Sequence, residues 1–200
     1  QVLQSDQTLS EGVIGKLYQV AQRTQVGEPI AYILGVVDFD GLSLSVSPGG
    51  LIPRPDTETL VETASQLIEP SDLKTIHDLC TGSGAVGVAL KTRYPNCDVS
   101  LSDLAIDAVQ CAKANAQALG LSVHCFTADL FEGLGCYDLM AVNPPYIAWD
   151  DPEIDSSARL YEPAIALFSN EKGLELIRRI VSDGMNHLNP DGYLCLEHGH

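Results

Sequence analysis

Asn143-Pro144-Pro145-Tyr146 combines residues suited to holding a flat NH2 group. Two successive prolines lack backbone N–H groups and have fixed φ angles, so the run is a stiff turn rich in acceptors. The Asn143 side-chain carbonyl and the Pro144 backbone carbonyl can each take one amino hydrogen. The Tyr146 ring can stack on the group so held. The apolar run Tyr137 to Val142 precedes the turn and reads as a buried strand, placing the turn at a strand's carboxyl end. A lone proline there commonly only ends a sheet; Asn-Pro-Pro-Tyr favours the chemical reading.

A second constellation lies upstream. Gly82, Gly84 and Gly87 form G-x-G-x-x-G after a strand-like run and before a helix, as a dinucleotide fingerprint requires. Glycines there let the backbone approach a cofactor, and Asp103, at the end of the next strand, can accept from ribose hydroxyls. NAD fits the glycines equally well. Asp78 separates the cases, because its carboxylate would repel a pyrophosphate but suits the ammonium and sulfonium charges of S-adenosylmethionine. No Lys or Arg stands between Leu79 and Leu90 to balance phosphate. Asp78 could otherwise serve as a helix cap or strand-end hydrogen bonder. Asp129, after a third strand, is placed to meet an adenine amino group or to cap a turn; Leu130 or Phe131 could pack on the base.

The elements that position these groups follow from periodicity. Residues 10–25 read as a helix with Ser10 as cap and Val13, Ile14, Leu17, Val20 and Ala21 on one face. Residues 31–46 read as a hairpin turning at Asp40-Gly41. Leu51 to Glu58 is a proline-punctuated loop, followed by a helix with Leu60, Val61, Ala64, Leu67 and Ile68 inward. Strands at 75–80, 99–102, 123–126, 137–142 and 193–196 alternate with helices at 84–93, 105–119 (closed by Gly120) and 171–188. Such alternation predicts an α/β fold, a parallel sheet with helices on both faces. The stretch 147–170 exceeds the length of an ordinary connector, so a substrate-covering role is expected. Its Trp149, Asp150, Asp151, Glu153 and Asp155 could meet a partner or simply form a solvated acidic loop.

The 200 residues are 45% hydrophobic and 19% charged, with a net charge of −16. That acidity argues against direct binding of nucleic-acid backbones. The six cysteines form no C-x-x-C pair, so neither a metal site nor a disulfide framework is expected, and a reduced cytoplasmic setting is. No membrane association is expected, and the chain reads as a monomer. His77 and His124 fall within strands and read as core or edge residues. No histidine, including His187 and His198, is placed by spacing beside Asn143.

The ordered set Ile52-Pro53-Arg54-Pro55-Asp56-Thr57-Glu58, Asp78-Leu79-Cys80-Thr81-Gly82-Ser83-Gly84 and Asn143-Pro144-Pro145-Tyr146 resembles the HemK/PrmC-type protein-glutamine N5-methyltransferases. Gly27-Glu28-Pro29-Ile30-Ala31-Tyr32, Tyr161-Glu162-Pro163 and Leu196-Glu197-His198-Gly199 look like that family too. The resemblance implies a Rossmann-like class I methyltransferase fold. It implies methyl transfer from S-adenosylmethionine to the glutamine of the Gly-Gly-Gln motif in a class I peptide-chain release factor. It further implies that Cys80, Thr81, Gly82, Ser83, Gly84, Asp103, Leu130 and Asn143 contact the cofactor, and that Asn143 to Tyr146 bind the glutamine. A ribosomal-protein glutamine methyltransferase and an adenine-N6 methyltransferase are the neighbouring readings. On this resemblance, residues 1–26 are the tail of a helical domain, 27–58 a hairpin and linker, and 59–200 a catalytic domain lacking its last strands. Cys80 stands where many members carry Gly, an exchange that calls for a negative φ. Leu130 stands where some relatives carry a larger aromatic.

Overall fold

The structure, a computed structural model, describes residues 9–199. Residues 1–8 of the expected helical tail and His200 of the expected catalytic domain lie outside the described residues. Helix α1 (Glu11–Gln25) starts where expected, the Ser10 hydroxyl accepting the Val13 N–H at 3.4 Å. Its stripe of Val13, Ile14 and Leu17 is exposed, and α1 buries no residue among those described.

The expected hairpin over 31–46 is shorter than its apolar pattern. Helix α2 (Ile30–Leu34) occupies the first part and ends at Gly35, whose φ of 73° is left-handed. Strands β1 (Val36–Phe39) and β2 (Leu42–Ser45) then pair antiparallel around Asp40-Gly41, both at positive φ. Periodicity cannot separate a short buried helix from a strand. Tertiary contact decides here: Ala31 and Tyr32 pack with Val46 and Ile52, and the Tyr32 hydroxyl donates to the Gly50 carbonyl at 2.6 Å.

Helix α3 (Glu58–Ile68), β3 (Thr75–Leu79), α4 (Ala85–Arg93), β4 (Asp98–Asp103), α5 (Ile106–Ala118), β5 (His124–Thr127) and β6 (Tyr137–Val142) alternate as predicted. The stretch 147–170 does not. It carries structure of its own: β7 (Ile147–Ala148), α6 (Ser156–Tyr161), α7 (Ala164–Leu167) and β8 (Phe168–Ser169), with β7 and β8 paired in parallel. Trp149 stacks on Phe168 at 4.6 Å, the Arg159 guanidinium lies 5.0 Å over the same ring, and Asp155 caps α6 through the Ser157 and Ala158 N–H groups. The expected helix 171–188 is interrupted at both ends, leaving α8 (Glu175–Gly184) between 3-10 turns at Glu171–Gly173 and Met185–His187. Strand β9 (Leu188–Leu196) begins before the expected residue 193, because a register shift absorbs the irregular stretch before Tyr193.

The central sheet has the order β5-β4-β3-β6-β9, every pair parallel. Ile76, Leu101 and Leu139 are fully buried within it, each worth roughly 1.5–3 kcal/mol relative to exposure. Helices α3, α4 and α5 contribute to one apolar cluster, and α8 packs Ile180 on another with Leu79, Met140 and Val142. His77 is a core residue, as expected. Its ring nitrogens sit 2.7 Å from Ser100 Oγ and 2.9 Å from Ser102 Oγ, and burial lowers its pKa to about 3, so the ring is neutral.

The chain runs from β3 outward through β4 to β5, then returns to place β6 on the other side of β3. Strand order therefore reverses between β3 and β6. In open parallel sheets the crevice beyond such a reversal, at the carboxyl ends, is where ligands bind.

Candidate active site

Leu79 and Val142 are register partners at the ends of β3 and β6. The glycine loop and the Asn143 turn thus leave the sheet side by side, although they are far apart in sequence. The loop's path depends on left-handed residues: Cys80 at φ 60°, Gly82 at 56° and Gly84 at 86°. The negative φ that would make cysteine free of strain at this position is not the one Cys80 adopts. A non-glycine residue there carries about 1–2 kcal/mol of strain. The Cys80 side chain compensates in part by packing against the cluster of Leu79, Met140 and Ile180. Burial, with Asp103 and Asp78 nearby, pushes its thiol up and keeps it neutral.

Gly84 and Gly87 also serve packing. A Cβ on Gly87 would lie 2.8 Å from Leu101 Cγ and 3.0 Å from Asp78 Cβ; one on Gly84 would lie 2.9 Å from Ala112 Cβ. These are the close helix–strand and helix–helix approaches that only glycine permits.

Asp78 is buried at 2% exposure and faces the crevice from β3. Its Oδ2 accepts from the Thr81 hydroxyl at 2.5 Å and from the Gly87 N–H at 2.8 Å. Burial pushes this carboxyl up to about 7, with those two donors opposing the shift. Asp78 is thus both a strand-end hydrogen bonder and a wall of the crevice. Asp103 Oδ2 accepts the Gly82 N–H and Oδ1 accepts the Ala105 N–H, each at 2.9 Å, so it pins the loop as well as lining the crevice. Burial raises its pKa too, against the backbone donors.

The crevice is a cleft of about 1070 Å³, part of it open to solvent. Asp78, Cys80, Thr81, Gly82, Ser83, Asp103, Asp129, Leu130 and Asn143 all line it; Gly84 does not, being turned toward α5. Leu130 lines it, whereas Phe131 packs away from it, stacked on His187 at 4.8 Å. The Asp129 side chain caps no turn and lies 3.4 Å from an Arg179 nitrogen. Arg54 is the one cation lining the cleft among the described residues, and Glu162 holds it at 2.5 Å. A cleft walled by Asp78, Asp103 and Asp129 fits a cofactor with a positive charge and sugar hydroxyls. It does not fit a pyrophosphate.

A second cavity of about 880 Å³ lies beyond the turn. Pro144 and Tyr146 line it, Pro145 lines the cleft, and Asn143 borders both. Leu51, Arg54 and Ala166 also border both, so the proline-punctuated loop and the 147–170 segment frame the passage between them. Asn143 Nδ2 donates to Thr57 Oγ1 at 3.1 Å, leaving Oδ1 for the cavities. The Tyr146 hydroxyl donates to Glu197 Oε1 at 3.0 Å, and burial beside that carboxylate lifts its pKa to about 12, so it stays a neutral donor.

Residues 55–170 match the methyltransferase small domain family model. The chain is 40% identical over 184 residues to a release factor glutamine methyltransferase of Bordetella pertussis, covering 90% of this chain and 68% of that protein. The namesake of Escherichia coli K12 is 41% identical over 180 residues, covering 88% and 65%. The chain belongs to the release factor glutamine methyltransferase family. It spans about two thirds of the length of these relatives. A solved methyltransferase from Pyrococcus furiosus shares the fold, at a TM-score of 0.55 and 18% identity over 89% of this chain and 77% of that one.

For a member of this methyltransferase family, the structure adds site residues that sequence reasoning left without a role. Thr57 is 3% exposed and touches both Asn143 and Glu197. Glu162, 6% exposed, grips Arg54 and the Ile52 N–H. A Cβ on Gly173 would fall 2.1 Å from the Tyr146 carbonyl oxygen, so the 3-10 turn before α8 supports the Asn143 turn from behind. The Ile-Pro-Arg-Pro-Asp-Thr-Glu and Glu197 motifs were the available signals; their partners were not. No histidine lines either cavity, and no cluster of metal-ligating groups occurs among the described residues.

Proposed function

We propose that this chain carries the site for methyl transfer from S-adenosylmethionine to the side-chain amide nitrogen, N5, of a protein glutamine. The substrate we favour is the Gly-Gly-Gln glutamine of a class I peptide-chain release factor. One observation supports this most: Asn143 stands between an acidic, glycine-floored cleft and a second cavity lined by Pro144 and Tyr146. The family's name for its members points to the same substrate. Such a substrate puts the protein at work in the cytoplasm, and no helix among the described residues is long and apolar enough to cross a membrane.

Asp78, Asp103, Asp129 and the loop from Cys80 to Ser83 would hold the cofactor, Asp78 meeting its ammonium, Asp103 its ribose and Asp129 its adenine, with Leu130 against the base. When bound, S-adenosylmethionine supplies an electrophilic methyl group. An amide nitrogen is a poor nucleophile because its lone pair is delocalised into the carbonyl. Asn143 Oδ1 and the Pro144 carbonyl can each accept one of its hydrogens and favour a more pyramidal nitrogen. Those hydrogen bonds strengthen as positive charge grows on nitrogen, so they stabilise the transition state over the ground state. The Tyr146 ring restricts the amide to that pose. The proton leaves to solvent afterwards.

The test is a transfer assay. Full-length protein with labelled S-adenosylmethionine is offered a release factor, its variant with the Gly-Gly-Gln glutamine replaced, a ribosomal protein and an RNA. Label on the intact release factor alone supports the proposal; label on the RNA or on the replaced-glutamine variant overturns it.

A further inference from the structure

The side chain of Asn143 can serve the proposed reaction only if its oxygen, not its nitrogen, faces the substrate amide. A free asparagine amide can present either end, and both ends have the same shape. The structure holds a chain of hydrogen bonds that removes the choice. Asn143 Nδ2 donates to Thr57 Oγ1 at 3.1 Å, and Thr57 Oγ1 donates to Glu197 Oε1 at 3.2 Å. A threonine hydroxyl has one proton. Glu197 accepts without donating, so it claims that proton and leaves Thr57 only lone pairs to offer. Reversing the Asn143 amide would set two acceptor oxygens against each other at hydrogen-bond distance, inside a site where Thr57 is 3% exposed.

Glu197 is held for this task. Its Oε1 also accepts the Tyr146 hydroxyl at 3.0 Å, while its Oε2 is buried without a partner among the described residues. Oε1 thus accepts from two hydroxyls, Thr57 and Tyr146. Its position follows from the sheet: the Glu197 N–H donates to the Val142 carbonyl at 2.9 Å, extending β9 alongside the last residue of β6. Thr57 arrives from the other direction, on the 3-10 turn Pro55–Thr57 of the proline-punctuated loop.

We infer that Thr57 and Glu197 are positioning residues that fix the polarity of the Asn143 amide, so that Oδ1 is the end presented to the substrate. The inference rests on the proposed role of Asn143 as acceptor for a glutamine amide. It also gives the Arg-Pro-Asp-Thr-Glu motif a mechanical reason: the loop delivers a single hydroxyl to the back of the Asn143 turn. Glu197→Gln has a specific consequence. A glutamine whose NH2 takes the Oε1 position donates to Thr57, which frees the Thr57 proton for Asn143 Oδ1 and permits the reversed amide, and it withdraws the acceptor from the Tyr146 hydroxyl.

The experiment is a double-mutant cycle in the full-length protein with Thr57→Val, Thr57→Ser, Glu197→Gln and the Thr57→Val/Glu197→Gln pair. Expected for Thr57→Val and Glu197→Gln is a fall in kcat of about 30- to 100-fold. S-adenosylhomocysteine should bind within about threefold of wild type in each variant, and Thr57→Ser should keep most turnover, since it keeps the hydroxyl. The pair should lose far less than the product of the two single losses, because a broken relay cannot be broken again; the remainder reports the Tyr146–Glu197 bond, which Glu197→Gln also changes. Losses that multiply in the pair, or a Thr57→Val enzyme as fast as wild type, overturn the inference while leaving the methyltransferase reading intact. If wild type methylates no Gly-Gly-Gln substrate, that reading fails, and the relay is judged by nitrogen-15 NMR. The Asn143 side-chain NH2 signal, assigned by its loss in Asn143→Ala, should move in both Thr57→Val and Glu197→Gln. An unmoved signal in Glu197→Gln overturns the relay.

Discussion

Cofactor binding should cost a proton below neutrality. Asp78 is 2% exposed, and burial lifts its carboxyl from the ordinary 3.8 to about 7. An ammonium group seated against this side chain requires the ionised form, so binding below pH 7 must expel the proton that the free protein holds. The apparent dissociation constant then scales as one plus ten to the power of pKa minus pH. From about pH 7.5 down to about pH 5.5, affinity should fall about 25-fold. The stability of the unliganded protein has the opposite dependence. The folded chain retains a proton that the unfolded chain has released, so this contribution is complete below pH 3.8 and is lost as pH climbs through about 7.

Calorimetry with S-adenosylhomocysteine, in two buffers of different ionisation enthalpy, measures both affinity and protons released. About one proton should appear near pH 5.5 and almost none above about pH 8. Asp78→Asn is the control. An asparagine oxygen can still accept from Thr81 and Gly87, so the loop survives. Its NH2 cannot attract an ammonium, so binding should weaken and lose this pH dependence. A dissociation constant that holds steady from pH 5.5 to 7.5 in wild type, with no proton released, refutes the assignment of Asp78 as the cation's partner.

Gly84→Ala should cost about 2–5 kcal/mol, from left-handed strain at φ 86° plus a Cβ placed 2.9 Å from Ala112 Cβ. Urea unfolding reads this directly, and a cost below about 1 kcal/mol would contradict the packing described. Asn143→Ala should lower kcat by about 100-fold or more while S-adenosylhomocysteine affinity changes only severalfold, as measured by labelled-methyl incorporation and calorimetry. Near-normal turnover would sink the acceptor mechanism. At Cys80, φ 60° inverts the usual ranking of small residues. Cys80→Gly should be more stable than Cys80→Ala by about 1 kcal/mol, and an alanine variant that equals or exceeds the glycine one argues against the left-handed backbone.

The features legible in the sequence are those set by neighbours along the chain. The alternation of Thr75–Leu79, Asp98–Asp103, His124–Thr127 and Tyr137–Val142 with α4 and α5 declares a parallel sheet, because β3, β4 and β6 carry buried apolar residues and a helix follows each of β3 and β4 at once. The glycine spacing is legible for the same reason, since the approaches at Gly84 and Gly87 are imposed by the helix they open. Failures occur where distant contact outweighs local pattern. Ala31 and Tyr32 stand in an unbroken apolar run that suits a strand, yet they form a turn of helix packed against Val46 and Ile52. The 147–170 segment looks unstructured because the Trp149–Phe168 stack that organises it joins residues at its two ends.

Cys80 marks the sharpest limit. A sequence shows that a larger residue replaces glycine, but the sign of φ is set by how β3 must turn to bring the loop beneath Asp103, and that turn belongs to the sheet. The same holds for the atoms behind Asn143. Thr57, Asn143, Tyr146 and Glu197 come from three segments of chain, and only the parallel register of β6 with β9 brings the last of them to the first. The motifs were visible separately because each stiffens or caps its own stretch. Their joint meaning is a proton's direction along three oxygens and one nitrogen, and that direction exists only once the strand ends stand side by side.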